Sequence, residues 1–255
     1  MMKTILHIAL PAVLIVTSLA GGETAAASAE PADTRLAQID SFRIPDGEYR
    51  VRTKISQWVG DTLAETALFD VYVSGPDKSL VIARRYKTEG MRLLFVGENM
   101  WVLFRDTQRP IRITPVQRLL GEASNGDVAR LGLNADYEVA EESREDVGGV
   151  PCLKLLLAAV RKSSTYGRIL LFVRASDLRP VKADLFLISG KHAKSAVYDE
   201  YRSTGGRTTL ARMTIFDRIE PAKRTVFEYL DITPVALPDK YFNKNYLVHL
   251  QDPDK

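Results

Sequence analysis

Three kinds of side chain could start a chemical argument in this chain, and none goes far. Cys152 is the one cysteine in 255 residues. It therefore has no partner for an internal disulfide, and one thiol cannot hold zinc without several histidines. It stands in Val150-Pro151-Cys152-Leu153, at the start of an apolar run, where a small buried hydrophobe is favoured over a reactive or intermolecular thiol. Beyond the first thirty residues the histidines are His192, in the turn Ser189-Gly190-Lys191-His192, and His249, near the C-terminus. The sequence shows no Ser-His-Asp, Cys-His or HExxH spacing. It has no glycine-rich phosphate loop, and no carboxylate pair stands out for acid/base work. The expectation is a protein that is not an enzyme, with no catalytic residues, no cofactor and no metal.

The start of the chain points to a compartment. Lys3 gives a positive start, residues 5–19 are almost wholly apolar, and Ala25-Ala26-Ala27 and Ala27-Ser28-Ala29 offer two A-x-A cleavage sites. Residues 1–29 are expected to be a cleaved Sec signal peptide. A retained N-terminal anchor is the weaker reading, because the apolar run is short for a membrane span. Residues 30–255 are then expected to form one periplasmic domain, a monomer that is soluble or peripheral. The chain carries 35 Lys and Arg against 32 Asp and Glu, a net charge of +3. That excess is too small and too well mixed to argue for nucleic acid.

The elements that position side chains read as short period-two runs between turns. Tyr49, Val51, Thr53 and Ile55 alternate with Arg50, Arg52, Lys54 and Ser56. Similar runs fill 63–73, 79–87, 91–96, 100–104, 137–146, 151–160, 166–174, 180–188, 191–201, 208–220 and 223–233. About eleven strands joined by short connections predict an antiparallel meander rather than βαβ units. Residues 32–41 could form a short helix. Residues 116–133 break the strand pattern, and Asn125 or Asp127 could cap a second short helix there.

Many strands carry one dry and one wet face. The side chains assigned to the dry interior are Phe69, Val71 and Val73; Phe95, Trp101 and Leu103; Leu155; Ile169, Leu171 and Val173; Leu185 and Leu187; Met213 and Ile215. A long sheet with one greasy face has to close on itself, pack on another sheet or receive helices. With two short helices available, a curved, partly closed barrel plugged by them fits. Whether its interior is solid core or a cavity for an apolar guest stays open, because both look the same in sequence. Arg84, Arg85 and Lys87, with Arg92, Arg105, Arg109, Arg112 and Arg118, could meet anionic head groups or an acidic partner, or could simply be solvated edge charges.

One ordered set of residues goes further. It begins with Gln117-Arg118-Leu119-Leu120-Gly121-Glu122-Ala123-Ser124-Asn125-Gly126-Asp127-Val128-Ala129-Arg130 and Asp136-Tyr137. Gly148-Gly149 follow before an apolar strand, then Tyr166-Gly167-Arg168-Ile169 and Arg179-Pro180-Val181-Lys182. Ser189-Gly190-Lys191, Tyr198-Asp199-Glu200-Tyr201, Thr225 and Pro238-Asp239-Lys240-Tyr241-Phe242 complete the order. Over residues 49–247 this resembles the outer-membrane lipoprotein-sorting proteins, the LolA-like group of periplasmic carriers. The resemblance implies a mainly β fold, an open and strongly curved antiparallel half-barrel with a short helical lid. It implies an apolar cavity that takes lipoprotein acyl chains or other lipids in transit between membranes. An inner-membrane transporter and an outer-membrane acceptor would be partners. A periplasmic adaptor of a membrane exporter, with a filled core and no lipid cargo, is the alternative. The family has no catalytic motif to carry over, and its lid-locking arginine is not assignable to a particular Arg here.

Overall fold

The computed structural model describes residues 32–253, apart from 44–46, 86, 88, 131, 205 and 219. The expected signal peptide lies outside the described residues. The chain opens with helix α1 (Ala32–Ser41) and continues into β1 (Glu48–Val59), β2 (Thr62–Ser74), β3 (Lys78–Arg85), β4 (Arg92–Val96), β5 (Asn99–Leu103) and β6 (Ile111–Ile113). A small ribbon of β7 (Arg118–Leu120) and β8 (Ala123–Ser124) leads into the single-turn helix α2 (Asn125–Ala129). Then follow β9 (Tyr137–Val147), β10 (Val150–Ala159), β11 (Arg168–Arg174), β12 (Pro180–Phe186), β13 (His192–Thr204), β14 (Arg207–Asp217) and β15 (Lys223–Pro234).

Thirteen strands form one open, curved antiparallel sheet in the order β6-β5-β4-β3-β2-β1-β15-β14-β13-β12-β11-β10-β9. The expected meander is therefore two meanders joined by a single non-sequential pairing, β1 against β15. That ladder runs from Tyr49 opposite Pro234 to Val59 opposite Lys223. The two edges, β6 and β9, are successive strands of this sheet along the chain but lie at its opposite ends. Residues 114–136 must therefore cross from one edge to the other, and they do so over the inner face. The lid is thus a consequence of connectivity.

Register fixes the inner face, because side chains alternate with period two. Val51 lies opposite Val71, Val71 opposite Val81, Val81 opposite Leu93 and Leu93 opposite Val102. On the other half Leu155 lies opposite Leu171, Leu171 opposite Ala183, Ala183 opposite Ala196 and Ala196 opposite Ile215. These rows belong to one continuous apolar cluster that also takes in Leu36 and Ile39 of α1 and Leu120, Val128 and Ala129 of the crossing segment.

A second, smaller cluster sits on the outer face over β2–β5. Tyr72, Leu80, Leu94 and Leu103 are covered there by Phe242, Leu247 and Leu250 of the C-terminal segment. Two members of the arginine group hold this segment down. Arg92 donates to the carbonyls of Leu247 at 2.6 Å and Leu250 at 3.0 Å. Arg84 reaches Asp70 and Asp252, and donates to the Tyr72 hydroxyl at 3.0 Å. Asp70 is fully buried. Burial pushes its pKa up, but the Arg52 and Arg84 guanidiniums outweigh this and hold it below the usual carboxylate range.

Candidate functional site

The inner face and the segments that close it are the one place where the whole sheet converges. Of the side chains expected inside, Phe69, Val71, Val73, Phe95, Leu155, Ile169, Leu171, Val173, Leu185, Met213 and Ile215 are buried in the inner cluster, and Leu187 packs against it. Trp101 and Leu103 are corrections, because both face outward into the second cluster. In β5 the inward residues are Met100 and Val102, paired with Phe95 and Leu93. The sequence 99–103 is apolar at almost every position, so its alternation did not show which parity points in.

Two helices close the face. α1 buries Leu36 and Ile39, three residues apart on one side. Full burial of two such side chains is worth about 3–6 kcal/mol. Arg35 of α1 pairs with Glu142 on edge strand β9. α2 has only five residues and is held by polar contacts. Ser124 is its N-cap and Asp127 completes a reciprocal capping box. The cap is thus Ser124, while Asn125 is the first helical residue.

Asp127 also sits at the centre of a buried network. Its carboxylate accepts from the Ser124 amide at 2.8 Å, the Tyr166 hydroxyl at 2.8 Å and the Lys194 ammonium. Lys194 is only 6% exposed and also donates to the Glu122 carbonyl at 2.6 Å. Burial pushes the Asp127 pKa up, but Lys194 and the other donors outweigh it and hold it below its ordinary value. Lys194 and Ala196 share the inward parity of β13. A lysine on an otherwise dry face was the available signal for this pair.

The rest of the crossing segment is pinned in the same way. Arg130 pairs with Asp136, donates to the Ser163 carbonyl at 2.7 Å and lies 4.4 Å from the centre of the Phe95 ring. The Thr225 hydroxyl accepts the Glu122 amide at 2.8 Å. Gly121 and Gly126 permit these approaches. A Cβ would fall 2.5 Å from the Thr225 hydroxyl at Gly121 and 2.1 Å from the Thr165 hydroxyl at Gly126. Finally, Asp40 at the end of α1 accepts the Leu133 and Asn134 amides, each at 2.8 Å, and so ties the two lid elements together. Burial raises its pKa to about 6 against the pull of those amides and of Arg43.

Little space remains beneath this lid. The inner cavity bounded by α2, Ile169, Leu185, Met213 and Ile215 has about 50 Å³. A water molecule takes roughly 30 Å³. A cleft of about 290 Å³ opens between α1, Tyr49, Val73, Phe95 and Arg130.

The outer face holds one arrangement that sequence spacing did not reveal. Ser195, Asp184 and His192 come together on β12 and β13. The Ser195 hydroxyl is 2.6 Å from Asp184 and 3.2 Å from the His192 ring nitrogen. Its proton goes to the carboxylate, and that carboxylate also pairs with Lys182 at 2.9 Å. A hydrolytic triad instead needs the acid behind the imidazole and the imidazole facing the hydroxyl. Cys152 is buried, as the sequence suggested. No group of three or more potential metal ligands occurs among the described residues. No helix among them is long and apolar enough to cross a membrane.

Comparison with known proteins agrees with this geometry. Residues 75–249 match a family described only as an uncharacterized protein. A LolA superfamily protein of Nitrosomonas europaea is 28% identical, with a TM-score of 0.77, over 86% of this chain and 100% of its own. A Desulfovibrio piger protein from a family of unknown function is 22% identical at a TM-score of 0.69, over 84% of this chain and 95% of its own. A candidate outer membrane lipoprotein-sorting domain of Vibrio parahaemolyticus is 16% identical at 0.69, over 85% of this chain and 98% of its own. The last two likenesses concern the fold alone. No curated protein matches the chain.

Proposed function

Since the chain belongs to the LolA-like family, we propose that it is a non-enzymatic periplasmic carrier. It would shield the acyl chains of lipoproteins or of other lipids against its inner face. The observation that carries this reading is the mode of closure. A sheet-wide apolar surface is covered by one short helix and by a crossing segment that adds a few buried apolar side chains and is pinned by hydrogen bonds and ion pairs. Polar anchors can be exchanged for water at modest net cost, whereas the apolar surface cannot be left wet. The lid and an acyl chain are then alternative coverings of the same surface, and a ligand that prefers the uncovered state shifts the balance toward it. Export by a signal peptide over residues 1–29 and a single carrier domain over 30–255 belong to the same proposal. So do an inner-membrane donor and an outer-membrane acceptor.

The cavity of about 50 Å³ favours a second reading, an adaptor whose interior is permanently filled. Native mass spectrometry with lipid extraction of protein from the periplasm, followed by titration with a fluorescent fatty acyl probe, separates the two. The carrier binds the probe with loss of hydrogen-exchange protection in 118–136. A protein that arrives empty and refuses the probe is the adaptor.

A further inference from the structure

Arg43, just after α1, places a guanidinium beside the inner cavity, which it lines together with Tyr198, Met213 and Ile215. The residue is half-buried, yet its Nε is sealed from solvent and has no hydrogen-bond partner. Tyr229, 7% exposed, stands beside it, its hydroxyl turned to the guanidinium and otherwise without a hydrogen-bond partner. Among the described residues no carboxylate lies within ion-pair distance of Arg43. The acid that acts on it is Asp40, whose oxygens are already taken by the Leu133 and Asn134 amides.

A guanidinium carries its charge at every accessible pH. Taking it out of water costs several kcal/mol unless an anion answers it. Three other buried charges are answered by an opposite charge: Asp127 has Lys194, Asp136 has Arg130 and Asp70 has two arginines. Arg43 lies instead at a cavity whose two carboxylates, Asp127 and Asp136, are already paired with Lys194 and Arg130, and it has two tyrosines next to it. Guanidinium and phenol donors set side by side suit the oxygens of a carboxylate or phosphate, and guanidinium pairs with both in forked geometry.

We propose that Arg43 and Tyr198, with Tyr229 braced against the guanidinium from outside the cavity, form an oxyanion subsite at the inner cavity, so that the cargo is an acidic amphiphile whose carboxylate or phosphate lies next to its acyl chain. This rests on the carrier reading and narrows it, because a neutral triacylated lipopeptide terminus would leave the subsite unanswered. The class that fits is a free fatty acid or a lysophospholipid of the phosphatidic type.

The test is competition against a bound fluorescent acyl probe on the full mature chain. The competitors are palmitate, its methyl ester, a single-chain lysophosphatidate and inorganic phosphate. Palmitate and lysophosphatidate should compete at least tenfold better than the ester, and inorganic phosphate should not compete. In Arg43→Met the preference for acid over ester should vanish while ester binding persists. Tyr229→Phe removes only a hydroxyl and serves if Arg43→Met fails to fold; it should reduce the preference several-fold. Equal competition by acid and ester in the parent protein overturns the subsite and leaves the carrier reading standing. A preference that survives in a folded Arg43→Met variant does the same. Displacement by inorganic phosphate alone overturns the lipid assignment. Failure of the protein to bind any probe overturns both.

Discussion

The joint between the two lid elements should weaken as pH rises, and Asp40 is the reason. Its carboxyl carries a pKa of about 6 in the closed protein, against an ordinary value of 3.8. Desolvation is the main cause, opposed by the Leu133 and Asn134 amides and by Arg43; the Asp136 charge adds to the rise. The sign follows from linkage. A carboxyl whose folded pKa is raised contributes its full stability below the unfolded pKa and loses it as pH climbs through the folded one. The window is therefore about pH 4 to 6. Two pK units at 1.36 kcal/mol each give about 3 kcal/mol, which partial solvent access to Asp40 lowers to about 2 kcal/mol. Asp40→Asn keeps an oxygen for the same amides and removes the charge. The two proteins should unfold in urea with equal free energy at pH 4, and the Asn variant should be more stable by about 2 kcal/mol at pH 7.5. A difference that stays flat between those pH values in a folded variant would refute both the burial of the charge and its place in the joint.

Four further perturbations probe the same lid and sheet. Lys194→Ala strands the buried Asp127 carboxylate and should cost about 3–5 kcal/mol in urea unfolding, whereas the double replacement Lys194→Met with Asp127→Leu should recover part of that. Gly126→Ala forces a Cβ against Thr165, so hydrogen exchange should show residues 118–136 losing protection while β10 and β11 keep theirs. Leu171→Ala, fully buried at the centre of the inner face, should lower stability by about 2–5 kcal/mol. Trp101→Ala, on the outer face, should leave acyl-probe affinity unchanged, and a large loss would place that ring back inside.

The strands were legible because alternation is a local signal. α1 and most strand boundaries could be read directly from where apolar residues recur and where Gly-Asp or Gly-Gly turns interrupt them. The β1–β15 ladder was not, because pairing between the two ends of a chain leaves no mark in either strand alone. Face assignment failed only in β5, where Asn99-Met100-Trp101-Val102-Leu103 offers no polar residue to set parity after its first position. In β13 the opposite happened: Lys194 has inward parity, which a dry-face pattern would forbid, and its answer, Asp127, lies far away in sequence. Arg43 and Asp40 were missed for the same reason. Neither belongs to a motif, and both take their meaning from a cavity and a loop that exist only after folding. Ser195, His192 and Asp184 show the converse limit, since residues that looked unrelated come together in an order that is not catalytic.

Connectivity also sets how large a cargo must be to open this protein. The crossing segment covers the inner face with Leu120, Ala123, Val128, Ala129 and Leu133, all buried. The two leucines and the valine are worth about 1.5–3 kcal/mol each, so the lid's apolar contribution is about 5–9 kcal/mol. Each acyl methylene buried in its place returns about 0.8 kcal/mol. About six to eleven methylenes therefore match what the lid gives up, before the polar anchors around Asp127 and Asp40 are counted. Short acyl chains fall below that balance and should not displace the lid, while chains of fourteen to eighteen carbons, on the order of twice the lower bound, exceed it. Affinity measured along a series of saturated acyl probes should thus show a threshold rather than a uniform slope from the shortest member. A uniform slope would mean that the chains bind in the cleft beside α1 without moving the crossing segment at all.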